Sequence, residues 1–456
     1  MAGDLAPMLP VNTTSRFHYR IDDPDLSAAP CEDCVRSAAV RDALQGCHEL
    51  LSERGERSEN GFAQDVLALY RSFDEVARAA FFNGLIERLS VDPAALQRAA
   101  ENYLRSPSAD TQQALQQAGE ARRRELFLRL NGVPGGTTSL VRMREELHSH
   151  LRNHQAWAGI DNDLTHVLRL LFNRGVLDLQ QIDLETPFPV LERLIEAEAV
   201  HAINDWREMA RRLEADRRCY AFFHPAWPGE PLIFTEVALT RGIAPTIQPI
   251  LDPDSAVVDP RTCDTAMFYS ISNCQPGLRG FSFGNALIRG VVERLRAEMP
   301  WLRRFATISP IPGFRTWLSA SARLRNASTG VGAWLSDTRS QGVPDELQGE
   351  LLALCAHYLL RVKQGREPAD AVARFHLGNG ARLHRLNSAG DLSLAGIRRS
   401  AGFTVNYVYN LKELARNAET YERSYEVCAG AEVARLARLA EPLLSNPLIS
   451  TDLPAA

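Results

Sequence analysis

Four consecutive stretches decide the fold: TAMFYSIS at 265–272, NCQPGLRGFSFGN at 273–285, ALIRGVVERLRAEM at 286–299 and FATISPI at 305–311. The first and last are short, branched and aromatic, and prolines end the last, which predicts buried strands. Between them Leu287, Ile288, Val291, Val292, Leu295 and Met299 recur at steps that place them on one face of a helix. Strand, glycine loop, helix, strand is a βαβ-like unit. Gly277, Gly280 and Gly284 leave the backbone bare where the first strand feeds the helix. Exposed N–H groups and the helix dipole then form a cradle suited to a phosphate or pyrophosphate, with Gln275 and Arg279 as side-chain donors. The loop has no Gly-Lys-Ser/Thr of a P-loop, and no ribose-binding acid follows in register.

Upstream of this unit the chain reads as helical. Phe62, Val66, Leu69, Phe73 and Val76 share the helical spacing, and Asp92-Pro93 is a helix start with its own cap. Asp110–Leu130 reads as one solvated helix, and Asp163–Leu171 as another that stops at Gly175. Leu191–Leu213 continues the pattern. Tyr220–His224 and Leu232–Leu239 then form a hairpin around Pro228-Gly229. Downstream, Glu346–Lys363 is helical, Ala373–Asn387 reads as two short strands around Asn379-Gly380, and Leu411–Leu444 is mostly helical. The expected class is α+β: a helical bundle domain over residues 1–180, then an α/β domain over 181–456.

The 456 residues carry 51 basic and 56 acidic side chains, a net charge of −5, which argues against general affinity for nucleic acid or anionic lipid. Lys363 and Lys412 are the only lysines, so a bound anion must be met by arginine, backbone amides or a helix N-terminus. No apolar run reaches the roughly eighteen residues of a membrane span. Met1–Arg20 resembles neither a secretory nor a transit peptide, and Asp452–Ala456 carries no peroxisomal signal, so a cytoplasmic protein with reduced thiols is expected. Cys31, Cys34, Cys47 and His48 have a zinc-like flavour, but the second pair is adjacent, which is poor geometry for a shared metal. His148, His150 and His154 read as a solvated helix face and Asn131–Thr138 as a loop; no metal site is expected. Leu394–Leu411 has the pattern of a helix-turn-helix, with Ala401-Gly402 at the turn and Val405 and Tyr409 on the second helix. A DNA-binding regulator is thereby an alternative of another class, opposed by the absence of basic residues from Phe403 to Leu411.

The spacing Gln-x-x-x-x-Gly at Gln275–Gly280 resembles the pyrophosphate loop of the GCN5-related N-acetyltransferase fold, where coenzyme A lies in a splay between the two flanking strands. Further blocks extend the likeness. They are Arg218–His224 with Pro228–Pro231, Phe268–Ser272 with the glycine loop, Ser309–Phe314, Phe375–Leu377 with Asn379–Ala381, and Gly396-Ile397 through Asn406–Tyr409. Together, in this order, they resemble the malonyl-CoA decarboxylase family.

That resemblance implies conversion of malonyl-CoA to acetyl-CoA and carbon dioxide without metal, biotin or nucleotide cofactor. It implies a catalytic pair at Ser309 and His376 and a further site residue at Tyr409. Coenzyme A would be held by Gln275, Gly277, Arg279, Gly280, Ser282, Gly284 and Asn285. An acidic residue that some members carry in this loop falls on Ser282 here. The expected partners are malonyl-CoA and further copies of the chain, in a dimer or tetramer built through the helical domain, with neither nucleic acid nor membrane. Chemically, loss of carbon dioxide leaves an enolate whose oxygen needs fixed donors and whose carbon needs a proton. Ser309 is expected to bond the carboxylate or thioester oxygen, His376 to protonate the α-carbon or orient that step, and Tyr409 to help hold the carboxylate. On the same fold an acyltransferase or thioesterase is the alternative; Ser309 lacks the Gly-x-Ser-x-Gly elbow of a hydrolase.

Overall fold

The computed structural model describes residues 32–52, 55–321, 329–336 and 342–444. The chain falls into two compact units, one running to Asn173 and one from Arg174. Cys31 lies outside the described residues, as does the side chain of Cys34; Cys47 is buried in a helix.

The first unit is helical. Its helices are Glu32–Leu50, Gly55–Ser72, Glu75–Leu89, Pro93–Arg105, Ala109–Ala118, Arg123–Asn131, Gly136–His150 and Ala158–Leu171. Local caps set several starts: the Asp74 carboxylate accepts from Ala77 N, Asp92 accepts from Ala94 N ahead of Pro93, and Ser108 and Thr111 form a reciprocal box. The Asp74 cap also breaks the helix read from Phe62 onward, so Val76 belongs to the next helix and is exposed. Asp110–Leu130 is likewise two helices parted at Gly119, and the second is a core element with Leu126, Phe127 and Leu130 fully buried. Tyr70, Phe73, Phe81, Phe82 and Trp157 form a connected aromatic core. The buried Asp163 carboxylate takes 2.9 Å contacts from both Arg123 and Arg124. His154, read with His148 and His150 as one solvated helix face, lies past the end of that helix and stacks on Trp157.

Among the described residues the second unit has ten strands: β1 (Asp178–Ile182), β2 (Arg217–Phe223), β3 (Ile233–Thr240), β4 (Thr265–Asn273), β5 (Arg304–Thr307), β6 (Ser309–Pro310), β7 (Lys363–Gln364), β8 (Glu367–Pro368), β9 (Arg382–Asn387) and β10 (Thr404–Val408). The main sheet runs β1-β2-β3-β4-β5-β10-β6, with β9 also on β10 and β7–β8 a separate ribbon. β4 and β5 are parallel and joined by the helix Phe283–Glu298, as the βαβ reading requires. That helix meets the β2 face carrying Phe222, where Gly290 lets it approach. The opposite face, with Cys219, Ala221 and Phe223, is covered by Val190, Leu191, Leu194 and Met209. β2 is therefore buried on both faces, and it reads as a continuous apolar run rather than an alternating one.

Three readings are corrected here. Leu191–Leu213 is two helices, Phe188–Ala197 and Trp206–Arg212, separated by a turn in which Glu198 accepts from Val200 N and His201 N. The first of the two strands read in Ala373–Asn387 is a helix, Ala371–Gly378, started by the Asp370 cap on Ala373 N. At eight residues it is too short to display its period. The helix-turn-helix does not exist. Leu394–Ser400 ends on left-handed Ala401 (φ 55°) and Gly402 (φ 77°), and the supposed reading helix is β10, buried and paired with β9 and β6.

Candidate active site

The sheet splits where β4 and β5 part. Their parallel pairing runs from Thr265↔Arg304 to Phe268↔Thr307, with one more bond from Ile308 N to Phe268 O. β4 then continues alongside β3 to Asn273, while the other strand breaks at Ile308 and Ser309 pairs with Val405 of β10. A strand read as continuous over Phe305–Ile311 is thus β5 and β6, and the break opens a cleft of about 680 Å³. Its walls include Ser270 from β4, Thr307 and Ser309 from the broken strand, Ser282 and Gly284 from the glycine loop, and His376 and Asn379 from the short helix. No carboxylate lines it among the described residues, so neither wall repels an anionic substrate.

Ser309 and His376, 67 positions apart, meet in this cleft: Ser309 Oγ stands 3.1 Å from His376 Nε2. Tyr409 OH stands 2.7 Å from His376 Nδ1, and Tyr407, two residues earlier, stacks on the imidazole at 4.5 Å. Ser309 donates to Thr307 Oγ1 at 2.9 Å, and that oxygen also accepts from Tyr407 N. With the Ser309 proton spent on Thr307, the contact at Nε2 has the imidazole as donor. Nδ1 is then the acceptor for the Tyr409 hydroxyl. Burial pushes the His376 pKa down to about 3, and burial raises that of Tyr409 against an opposing side-chain hydrogen bond from Asn379, so both are neutral in the resting site. Tyr409 stands behind the imidazole and does not line the cleft, so its geometry serves the histidine rather than a substrate carboxylate.

The scaffold explains these positions. The buried Asp370 caps the His376 helix through Ala373 N and faces Gly313 N at 3.4 Å on the turn after Ser309, tying the two catalytic candidates to one anchor. Asn406 on β10 donates to Thr307 O at 2.8 Å and accepts from Asn387 on β9, locking the strand break.

The glycine loop divides by role. Gln275 donates to Pro231 O at 3.0 Å and braces the loop against the β2–β3 hairpin. Gly277 is buried in a tight turn over Pro276–Leu278, and Arg279 is exposed. Gly280, at φ 87°, takes the left-handed turn. Ser282 precedes the helix without a side-chain cap, and Gly284 and Asn285 of the first turn stand in the cleft wall. A Cβ on Gly284 would stand 2.7 Å from the Phe375 ring, so this glycine sets the distance between the loop helix and the His376 helix.

Sequence reasoning missed Thr307, Asn379 and Arg374 of the cleft wall. The Thr-x-Ser spacing in FATISPI was a usable signal for Thr307, since alternate strand residues share a face.

Fold and cleft together define the class: a helical unit followed by an acetyltransferase-like α+β unit whose split sheet holds a hydroxyl–imidazole site. Residues 175–446 match the model of the malonyl-CoA decarboxylase C-terminal domain, and residues 89–172 match that of its N-terminal domain. The mitochondrial malonyl-CoA decarboxylase of Rattus norvegicus is 32% identical over 434 residues, covering 85% of this chain and 87% of that protein. The Anser anser anser enzyme is 35% identical over 345 residues, covering 68% of each. Among solved structures, malonyl-CoA decarboxylase from Rhodopseudomonas palustris superposes with a TM-score of 0.80 at 42% identity, over 87% of this chain and 99% of that one. The Cupriavidus metallidurans enzyme gives 0.69 at 33%, over 88% and 99%. The chain belongs to the malonyl-CoA decarboxylase family. No helix among the described residues is long and apolar enough to cross a membrane.

Proposed function

We propose that this chain decarboxylates malonyl-CoA to acetyl-CoA and carbon dioxide, with Ser309 and His376 as the acting pair. The observation that carries the mechanism is the chain of contacts from Tyr409 through His376 to Ser309 and Thr307 in the wall of the split sheet. The C–C bond to the carboxylate breaks, its electron pair becomes the thioester enolate, and carbon dioxide leaves. The α-carbon then takes a proton through the Ser309–His376 pair, and solvent replaces that proton, so one is consumed per turnover. Surroundings free of carboxylates favour loss of the malonyl charge, and the imidazole N–H at Nε2 is the donor at hand for the charge that develops.

Coenzyme A is proposed to lie along the glycine loop. Its phosphates meet the first-turn amides of Phe283–Glu298 and Arg279, while Gln275 keeps the loop in shape. Self-association is proposed for the helical unit, whose helices Pro93–Arg105 and Ala109–Ala118 bury no residue and leave Leu104 exposed; sedimentation of the full chain reads it.

A hydrolase reading fits this geometry poorly. The imidazole has no carboxylate behind it, and a histidine held near pKa 3 is a weak base toward the serine at neutral pH. Incubation with malonyl-CoA and mass detection of products separates the readings: acetyl-CoA and carbon dioxide support decarboxylation, and free coenzyme A supports acyl transfer or hydrolysis. His376→Ala should abolish turnover with coenzyme A binding nearly intact; full activity in that variant would sink the mechanism.

A further inference from the structure

We propose that Thr307 is a positioning residue: its side-chain oxygen takes the Ser309 proton and thereby fixes which nitrogen of His376 carries the ring proton. The inference rests on the decarboxylase reading above. Thr307 ends β5, two residues before Ser309, and is only 1% exposed. Its Oγ1 accepts from Ser309 Oγ at 2.9 Å and from Tyr407 N at 3.2 Å. Its carbonyl accepts from Asn406 Nδ2 at 2.8 Å. Main chain and side chain of Thr307 are thus both held by β10, the strand that leads directly into Tyr409. The segment Asn406–Tyr409 therefore pins both ends of one chain of contacts, with Thr307 beside Ser309 and Tyr409 beside His376 Nδ1.

The argument is one of direction. A serine hydroxyl has a single proton, and a neutral imidazole has one donor and one acceptor nitrogen. While Thr307 takes the Ser309 proton, Ser309 Oγ offers only lone pairs to His376 Nε2, 3.1 Å away, so that nitrogen keeps its proton. Tyr409 supports the same tautomer by donating to Nδ1. A phenol can accept as well as donate, however, so Tyr409 alone does not hold the direction. Without an oxygen at position 307 the Ser309 proton turns to Nε2. The ring proton then sits on Nδ1 and is donated to Tyr409. The chain runs backwards, and the Nε2–H that faces the developing charge is lost. Thr307 thus acts through Ser309 and His376 and needs no contact with substrate.

The test compares Thr307→Val, which keeps the branched shape and loses the acceptor, with Thr307→Ser, which keeps the acceptor. Thr307→Val should lower kcat for malonyl-CoA by roughly 10- to 100-fold, as for other partners that orient a functional histidine. KM should stay within about threefold, because no contact with substrate is removed. Thr307→Ser should recover most of the rate. Thr307→Val combined with Tyr409→Phe should be slower than the slower single variant by no more than about threefold, since both act on one tautomer, whereas independent losses would multiply to roughly 10²–10⁴-fold. If Thr307→Val does not fold, as read by circular dichroism, Thr307→Cys carries the same test, because a thiol is a weak acceptor. A kcat within about twofold of native in a folded Thr307→Val or Thr307→Cys overturns the assignment. So does a Thr307→Ser no faster than Thr307→Val, a loss that falls equally on KM, or losses that multiply in the double variant. Native enzyme that turns malonyl-CoA into no acetyl-CoA overturns instead the reading of the reaction, and the two failures are thereby told apart.

Discussion

The phenol oxygen of Tyr409 stands 2.7 Å from His376 Nδ1, on the side of the imidazole away from the cleft. A donor fixed at Nδ1 leaves the proton on Nε2, where it faces Ser309, and so selects the tautomer that the site uses. Tyr409→Phe removes this choice without touching the cleft wall. The expected result is a kcat lower by about 10- to 100-fold, the range seen for outer partners that orient a functional histidine. KM for malonyl-CoA should be unchanged. A KM that rises in step with the fall in kcat would show that the phenol meets substrate after all.

Burial sets the pH behaviour of the same imidazole. Its folded pKa is depressed to about 3 from an ordinary value near 6.5, so between those values the unfolded chain binds the proton and the folded chain does not. Stability from this group is complete above about pH 6.5 and is lost as pH falls, by roughly 1.4 kcal/mol per unit until the folded pKa is reached. Urea unfolding of native protein and His376→Gln between pH 4 and 7 checks the sign: the native protein should lose more stability toward acid than the variant. The rate should also show no inflection near pH 6.5. An inflection there in the native enzyme would mean the histidine cycles through its charged form in the free enzyme.

How far the sequence carried these conclusions depends on the range of the interaction involved. The unit from Thr265 to Thr307 was legible because one helical period and one buried strand sit next to each other, and both signals are local. The Asp92-Pro93 start was legible for the same reason. The eight-residue helix bearing His376 was not, since it spans barely two turns and its cap, Asp370, also reads as a turn residue. Val405–Tyr409 satisfied a helix-turn-helix pattern because a short apolar run fits both periods. Only pairing with β9 and β6 decides for a strand, and then Tyr407 and Tyr409, two apart, reach the same imidazole. The family likeness delivered Ser309 and His376 as a pair, yet the Asp370 anchor that ties their two elements together is a tertiary contact that no spacing encodes.

Gly280 and Gly284 are glycines for different reasons, and their alanine variants should fail in different ways. A Cβ at Gly280 meets open space, but the residue sits at φ 87°, so Gly280→Ala strains the loop by about 1–2 kcal/mol where the phosphates are proposed to bind. The expected effect is a KM for malonyl-CoA raised several-fold with kcat nearly kept. Gly284 needs no unusual φ. Its Cβ would instead stand 2.7 Å from two atoms of the Phe375 ring, next to His376 in the chain. Gly284→Ala must displace that ring, an overpacking cost of about 1–3 kcal/mol, and the displacement moves the imidazole relative to Ser309. Here kcat should fall by tenfold or more with a smaller change in KM. Pairing Gly284→Ala with Phe375→Leu, which vacates the clashing atoms, should restore part of kcat. If the double variant is no better than Gly284→Ala alone, the glycine is kept for contact with the substrate and not for the spacing of the two helices.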